Sequence, residues 1–221
     1  MNPTNLQSEK RPPEGMTIER KSGEITIEIF DLPLRTPRLM LLWGTPLIVL
    51  EKITVWQEGP EPHGGRLSLA GTSMRCALGR AGVTTAKSEG DGATPAGTWP
   101  LRRLLVRADR WPQGSTGLPV STISRDDGWC DDPADAHYNM AVKLPHGASC
   151  EEMWRDDHLY DAVVVVGYND APPVPGLGSA IFLHLATKDY GPTAGCVALS
   201  AADLAEVLSR CGPATSLEIG A

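Results

Sequence analysis

The chain has 221 residues, 41% of them apolar, and a formal net charge of −7. That is enough for one domain, or at most one and a half, with a real core, which excludes disorder throughout. The acidic balance and the lack of any Lys/Arg run longer than two argue against a nucleic-acid binder, and no stretch reaches the roughly 18 apolar residues a membrane span needs.

The 23 Gly and 19 Pro, about a fifth of the chain against a usual share near 12%, predict a β-rich fold with many turns. Residues 1–23 are polar and Pro-bearing and read as a flexible tail without the plan of a signal peptide. Glu24–Phe30 alternates apolar and acidic residues, the period of a half-buried strand. The run Leu39–Leu50 reads as two short strands around Gly44-Thr45-Pro46, and Ile48–Val55 as a strand. Further strands are expected at Arg66–Leu69, Met74–Leu78 and Trp99–Arg107, with a Gly-rich loop at Lys87–Gly97. Arg110–Pro145 is long, irregular, acidic and rich in Trp, Pro and Asp, which suggests a functional loop. Ser149 with Glu152 forms a capping-box pattern that predicts a short helix to about Asp157. Ala162–Val166 and Ala180–Ala186 read as buried strands. Ser200 with Asp203 opens a second helix whose Leu204, Val207, Leu208 and Cys211 form one apolar stripe, ended by Gly212-Pro213.

There are five cysteines, an odd number. Cys130, His137, His146 and Cys150 are separated by six, eight and three residues, spacings that match no zinc module. No metal and no other cofactor is expected. Gly176-Leu-Gly178 follows a strand, but a strand and not a helix comes after it, so it is no dinucleotide fingerprint.

Chemistry concentrates in Gly178–Ser200, GSAIFLHLATKDYGPTAGCVALS. His184 lies in an apolar strand, and Cys196 follows twelve residues later behind Thr193-Ala194-Gly195. A strand, a loop and a return strand can join the two, giving a thiol nucleophile its base. The same residues also suit plain core packing, and spacing alone leaves both readings open.

This segment resembles the signature of the L,D-transpeptidase (YkuD-type) catalytic domain, in which a His is followed by a loop and Ser/Thr-x-Gly-Cys. Gly90–Trp99 (GDGATPAGTW) resembles the family's Thr-Pro-x-Gly loop, in the right order. Asp126–Asp132, His137–Asn139, Trp154–Asp161 and Gly167–Asp170 resemble a bacterial subgroup of it. The resemblance covers about residues 53–219, with Ala194 where many members have His and Ala198 where many have Arg or Asn. It implies a mainly β fold, a β-sandwich with a few peripheral helices and a long irregular loop over the site. The catalytic domain would span 53–221, after a tail at 1–23 and a strand- and Pro-bearing extension at 24–52.

The resemblance further implies a peptidoglycan cross-linking enzyme. Cys196 would be the nucleophile and His184 the base, with the Leu185 carbonyl orienting the imidazole and the N–H groups of Gly195 and Cys196 holding the oxyanion. Thr193, Ser179, Phe182, Tyr168, Asn169, Trp129, Tyr138, Arg80 and Arg155 are candidates for contact with the stem peptide. Asp126, Asp127, Asp131 and Asp132 are candidates to attract an ammonium acceptor, with Trp129 and Tyr138 covering the site. The expected partners are peptidoglycan stem peptides, met outside the cytoplasm (periplasmic) by a monomer. A Cys amidase or L,D-carboxypeptidase and a non-catalytic wall-binding module are the alternatives.

Overall fold

The structure, a computed structural model, describes the backbone of residues 16–21, 24–29, 38–42 and 45–49, and residues 52–112 and 114–220 with their side chains. The chain divides into two compact units, Met1–Val49 and Leu50–Ala221. In the first unit β1 (Met16–Lys21), β2 (Glu24–Ile29), β3 (Arg38–Leu42) and β4 (Thr45–Val49) form an antiparallel sheet in that order. β1 falls within the stretch read as a tail. Its Met16 and Ile18 register with Ile29 and Ile27 of β2, a pairing that neither segment announces alone. Residues 1–15 and 30–37 lie outside the described residues.

The second unit begins with β5 (Lys52–Gln57), β6 (Gly64–Leu69) and β7 (Thr72–Ala77). The short strands β8 (Val83–Thr84) and β9 (Thr94–Pro95) precede the ten-residue β10 (Gly97–Val106). Then come β11 (Val120–Thr122), β12 (Asp127–Cys130), β13 (Ala141–Lys143), β14 (Cys150–Glu152) and β15 (Ala162–Val166). β16 (Phe182–Leu185), β17 (Val197–Leu199), the helix α1 (Ala201–Ser209) and β18 (Ser216–Gly220) complete it. The stretch Ile48–Val55, read as one strand, is divided between β4 and β5, which belong to different units.

The main sheet runs β11-β10-β15-β16-β17-β7-β6-β5-β18, and β18 returns to β10. β10 makes this possible by its length. Its residues 97–100 pair with β18 and its residues 101–106 with β15. The sheet therefore folds over and closes on itself around one core. Closure leaves no free edge between β10 and β18.

Alternation decides what each strand contributes. Ala162, Val164 and Val166 of β15 face the main core, with Ile53, Leu67, Leu101, Leu183, Leu199 and Leu217. Val163 and Val165 face a second cluster on the outer side, with Phe182, Trp129, Tyr160 and Met153. Both faces of β15 are thus covered, as its unbroken apolar run predicts. α1 follows its cap: Ser200 accepts the Asp203 N–H, and Leu204, Val207 and Leu208 enter the main core.

One expected helix is absent. Ser149 does not cap a helix, and Cys150–Glu152 form β14, paired antiparallel with β12 and flanked by β13 across β12. The cross-strand partners Trp129↔Glu151 and Cys130↔Cys150 outweigh the local capping signal. The long irregular segment consequently carries a small three-stranded sheet of its own.

Candidate active site

β16 and β17 run parallel, with His184 opposite Ala198. Cys196 stands two residues before Ala198 and so lies on the same sheet face as His184. Leu183 and Leu185 take the opposite face and anchor β16 in the main core. The strand alternation that buries two leucines thus delivers His184 and Cys196 together to one outer cavity of about 480 Å³.

Both side chains are buried, each with 6% exposure. His184 Nδ1 lies 2.8 Å from the carbonyl of Leu185. A carbonyl only accepts, so Nδ1 carries the proton and Nε2 keeps its lone pair. That carbonyl belongs to a fixed strand, whose Leu185 N–H bonds Leu159 O at 3.0 Å. Burial lowers the imidazole pKa to about 4, opposed by the Leu185 hydrogen bond and assisted by Arg155. The Tyr160 ring packs edge-on against the imidazole, 5.3 Å between centroids. Cys196 Sγ donates to Ala180 O at 3.2 Å. Burial raises its pKa to about 12; the negative charge of Glu151 adds to this, and the Phe182 backbone N–H opposes it. The resting pair is therefore thiol and neutral imidazole.

The approach to Cys196 is built by hydrogen bonds and close contact. Thr193 Oγ1 donates to Cys196 O at 2.7 Å and accepts the Gly195 N–H at 3.1 Å. Gly195 has φ +142, and a Cβ there would meet Ala93 O at 2.8 Å. The Gly90–Trp99 loop thereby packs directly on the Gly-Cys turn. Thr94, wholly buried, accepts the Gly79 N–H at 2.8 Å, and Gly79 bridges to Thr193. The two sequence segments that carry the family resemblance meet here, Ala93 against Gly195, though they lie far apart in the chain.

The candidate contact residues divide. Thr193, Ser179, Arg80 and Arg155 line the cavity. Arg155 is held bidentately by Asp157 at 2.9 and 2.7 Å, and Arg80 donates to Gly90 O at 3.2 Å. Phe182, Trp129, Tyr138, Tyr168 and Asn169 do not line it. Phe182 is fully buried beneath Trp129 and Tyr160. Trp129 is a plug, its Nε1–H bonded to Asn139 Oδ1 at 3.0 Å. Tyr138 donates its hydroxyl proton to Glu89 and accepts the Gly178 N–H at 3.0 Å. Tyr168 stacks edge-on upon Trp99, and Asn169 clamps the carbonyls of Val174 and Gly178 at 3.0 and 2.8 Å. These five shape the loops around the cavity from behind.

Of the four aspartates expected to meet an amine, only Asp131 faces the cavity. Asp126 and Asp127 pair with Lys143 at 2.9 and 2.7 Å, and Asp132 accepts the Ala134 N–H at 2.9 Å. The Gly195 N–H, expected at the oxyanion, is engaged by Thr193 in this conformation.

Two cavity carboxylates escaped the sequence reading, Glu89 and Glu151. Glu151 accepts the Tyr160 hydroxyl proton at 2.5 Å, and burial raises its pKa. The β12–β14 pairing that carries it could not be read from a segment with a helix cap. Asn139 was quoted only within a motif, yet it is the hub behind the site. Its Oδ1 accepts from Trp129 and from Ala180 N at 3.0 Å each, and its Nδ2 donates to Tyr168 O and Asn169 O at 3.0 and 2.8 Å.

No curated protein matches the chain. Among solved structures it is similar to L,D-transpeptidase 1 of Mycobacterium tuberculosis, with 13% identity over 89% of this chain and 70% of that one (TM-score 0.33). It is also similar to an L,D-transpeptidase from Mycobacterium smegmatis, with 12% identity over 96% and 81% (TM-score 0.35). A further L,D-transpeptidase from Mycobacterium tuberculosis H37Rv shows 10% identity over 94% and 76% (TM-score 0.36). Residues 64–219, well over half of the sequence, match the YkuD family, described as the L,D-transpeptidase catalytic domain. The chain belongs to the L,D-transpeptidase (YkuD) catalytic-domain family.

Proposed function

We propose that the protein is a peptidoglycan L,D-transpeptidase acting outside the cytoplasm, with Cys196 as nucleophile and His184 as base. The observation that carries this reading is the shared cavity of a buried thiol and a buried imidazole whose Nδ1 proton is fixed by Leu185 O. Cys196 Sγ attacks the carbonyl of the L-centre of meso-diaminopimelate at position three of a donor stem, while Nε2 of His184 takes the thiol proton. The amide C–N bond then breaks, the proton passes to the leaving amine, and D-Ala of position four departs. The acyl group waits on sulfur as a thioester. An acceptor amine, from a diaminopimelate side chain or a stem's N-terminal L-Ala, attacks it. His184 takes the amine proton and returns it to sulfur as the C–S bond breaks.

The oxyanion falls to the backbone N–H of Cys196, joined by that of Gly195 once Thr193 releases it. No ion pair needs to pre-exist, because neutral thiol and neutral base exchange the proton during attack. The cavity wall carries both signs of charge for a zwitterionic substrate: Arg80, Lys87 and Arg155, the last two ion-paired with Asp91 and Asp157, and Glu89, Asp131 and Glu151. Carboxylates of a stem and the ammonium of an acceptor both find opposite charge there.

The direct test is the intact mass of the protein after incubation with a tetrapeptide stem carrying diaminopimelate. A covalent adduct equal to the stem less D-Ala, present in the wild type and absent in Cys196→Ala, is expected. Release of D-Ala by Cys196→Ala at the wild-type rate overturns the assignment.

A further inference from the structure

A second group of reactive side chains gathers on the small sheet, separate from the Cys196 cavity. Cys130 ends β12 and Cys150 begins β14, directly opposite each other. The N–H and C=O of Cys130 turn away from β14, bonding Met140 O and Asn139 N at 2.9 Å each. Toward β14 the cysteines are therefore a non-hydrogen-bonded pair, the kind whose side chains approach most closely. Their Sγ atoms and a ring nitrogen of His146 all lie within 4.8 Å of one another. His146 also belongs to an overlapping group with Asp135 and His137, within the same distance. Its Nε2 is buried without a hydrogen-bond partner, and Asp135 Oδ2 stands 3.4 Å away. Folding has joined residues whose spacing in the chain fits no metal module.

We propose that Cys130, Cys150 and His146 hold a structural Zn²⁺ ion that fastens the small sheet, with Asp135, 3.4 Å from His146 Nε2, moving in as the fourth ligand. Donors at about 2.0–2.3 Å from one tetrahedral centre sit roughly 3.3–3.8 Å apart, so the two sulfurs and the His146 nitrogen, within 4.8 Å of one another, need to contract by about 1.5 Å at most, with Asp135 swinging in to join them. Two thiolates with an imidazole select zinc over the hard cations Mg²⁺ and Ca²⁺. On binding, Zn–S bonds replace the S–H bonds of Cys130 and Cys150, and the two protons pass to water. No oxidant or reductant is required. A Cys130–Cys150 disulfide would instead need a two-electron oxidant. Access is present, since His146 and Cys150 border a surface cavity with Arg125, Asp126 and Leu144. With Asp135 in the fourth position the ion is closed to substrate, so it holds structure and takes no part in acyl transfer. Its consequence for the active cavity is positional. Asp131 follows one cysteine ligand and Glu151 follows the other, and both line that cavity. The ion would fix the strands that present these two carboxylates.

The test uses the full chain, purified with reductant and without chelator, given one equivalent of Zn²⁺, desalted and measured for metal by mass spectrometry. About one zinc per chain is expected, with at least a tenfold loss in the Cys130→Ser, Cys150→Ser double variant and no loss in Cys196→Ala. Because the double variant could fail to fold, wild-type protein is also loaded with Co²⁺. A thiolate-to-cobalt charge-transfer band with tetrahedral d–d absorption supports the site. Folded, reduced wild type that takes up neither Zn²⁺ nor Co²⁺ overturns it. So does zinc uptake that the double variant, still folded, retains in full. A metal-free protein whose peptide map shows a Cys130–Cys150 disulfide, and which still binds no zinc after reduction, makes the pair a redox staple and also overturns the proposal.

Discussion

At the residue scale the decisive fact is that His184 and Cys196 are both held neutral by burial, with pKa values of about 4 and about 12. If a pre-formed thiolate did the chemistry, the acylation rate would rise about tenfold per pH unit through neutrality. Base-assisted attack by a thiol predicts a rate that is flat from about pH 5 to 9 and falls as pH drops toward 4 and His184 gains a proton. Single-turnover acylation across this range separates the two. Stability carries the same signature. The folded imidazole pKa is depressed below its unfolded value near 6.5, so the unfolded chain binds the proton more tightly. The contribution of neutral His184 is present above about pH 6.5 and is lost as pH falls toward 4, on the order of 3 kcal/mol in full. Arg155 and Asp157 act on the ring with opposite sign, so burial governs the direction. His184→Gln should remove this part of the acid sensitivity, read from denaturation midpoints at pH 7 and pH 5.

At the element scale the site depends on loops fixed from behind. Asn139 joins the β12–β13 connection to the segment 168–180 through three hydrogen bonds and to Trp129 of β12 through a fourth. Asn139→Ala takes this partner from the Trp129 indole N–H, the Ala180 N–H and the half-buried carbonyls of Tyr168 and Asn169, at about 1–3 kcal/mol for each group left bare. A loss of about 3 kcal/mol or more is expected from chemical denaturation, with slower acylation because Ala180 sits against Cys196 Sγ. The strands of the small sheet also sort the acidic loop. Asp131→Asn should raise KM for the acceptor amine severalfold, whereas Asp132→Asn, whose carboxylate caps a turn, should leave it within twofold. Equal effects in steady-state transfer assays would contradict that assignment. This division was hidden in the sequence, where four aspartates in seven residues look alike. Trp129 and Tyr138 were ambiguous for the same reason. An aromatic in a polar loop suits either a lid or a plug, and only the Phe182 and Asn139 contacts decide for the plug. The capping-box Ser149 shows local propensity yielding to pairing, since Glu151 and Cys150 have partners only across β12.

At the scale of the whole molecule, the strands with clear periodicity were legible. Ala162–Val166 coincides with β15, and the α1 stripe enters the core as its spacing demands. What no single segment reveals is closure, which depends on β10 being long enough to serve both β15 and β18. Closure also sets the minimal folding unit. β5 stands between β6 and β18 in the ring, yet it lies before the family match begins at Gly64. A chain starting at Leu50 should fold cooperatively and retain acylation, whereas one starting at Gly64 should lose the β5 pairings and fold poorly, as circular dichroism and thermal melts will report. The candidate pair stood out in the sequence because chemistry restricts such residues: a Gly, which fits φ +142, before a Cys, and a His in an apolar strand. The central claim is acyl transfer through Cys196. It is tested most directly by mass spectrometry of diaminopimelate muropeptides incubated with the wild type and with Cys196→Ala. The account predicts loss of D-Ala together with stem dimers in the wild type alone, the dimer's fragmentation identifying the acceptor amine. Dimers formed equally by Cys196→Ala, or none formed from any acceptor or intact sacculi by a folded wild type, would contradict it.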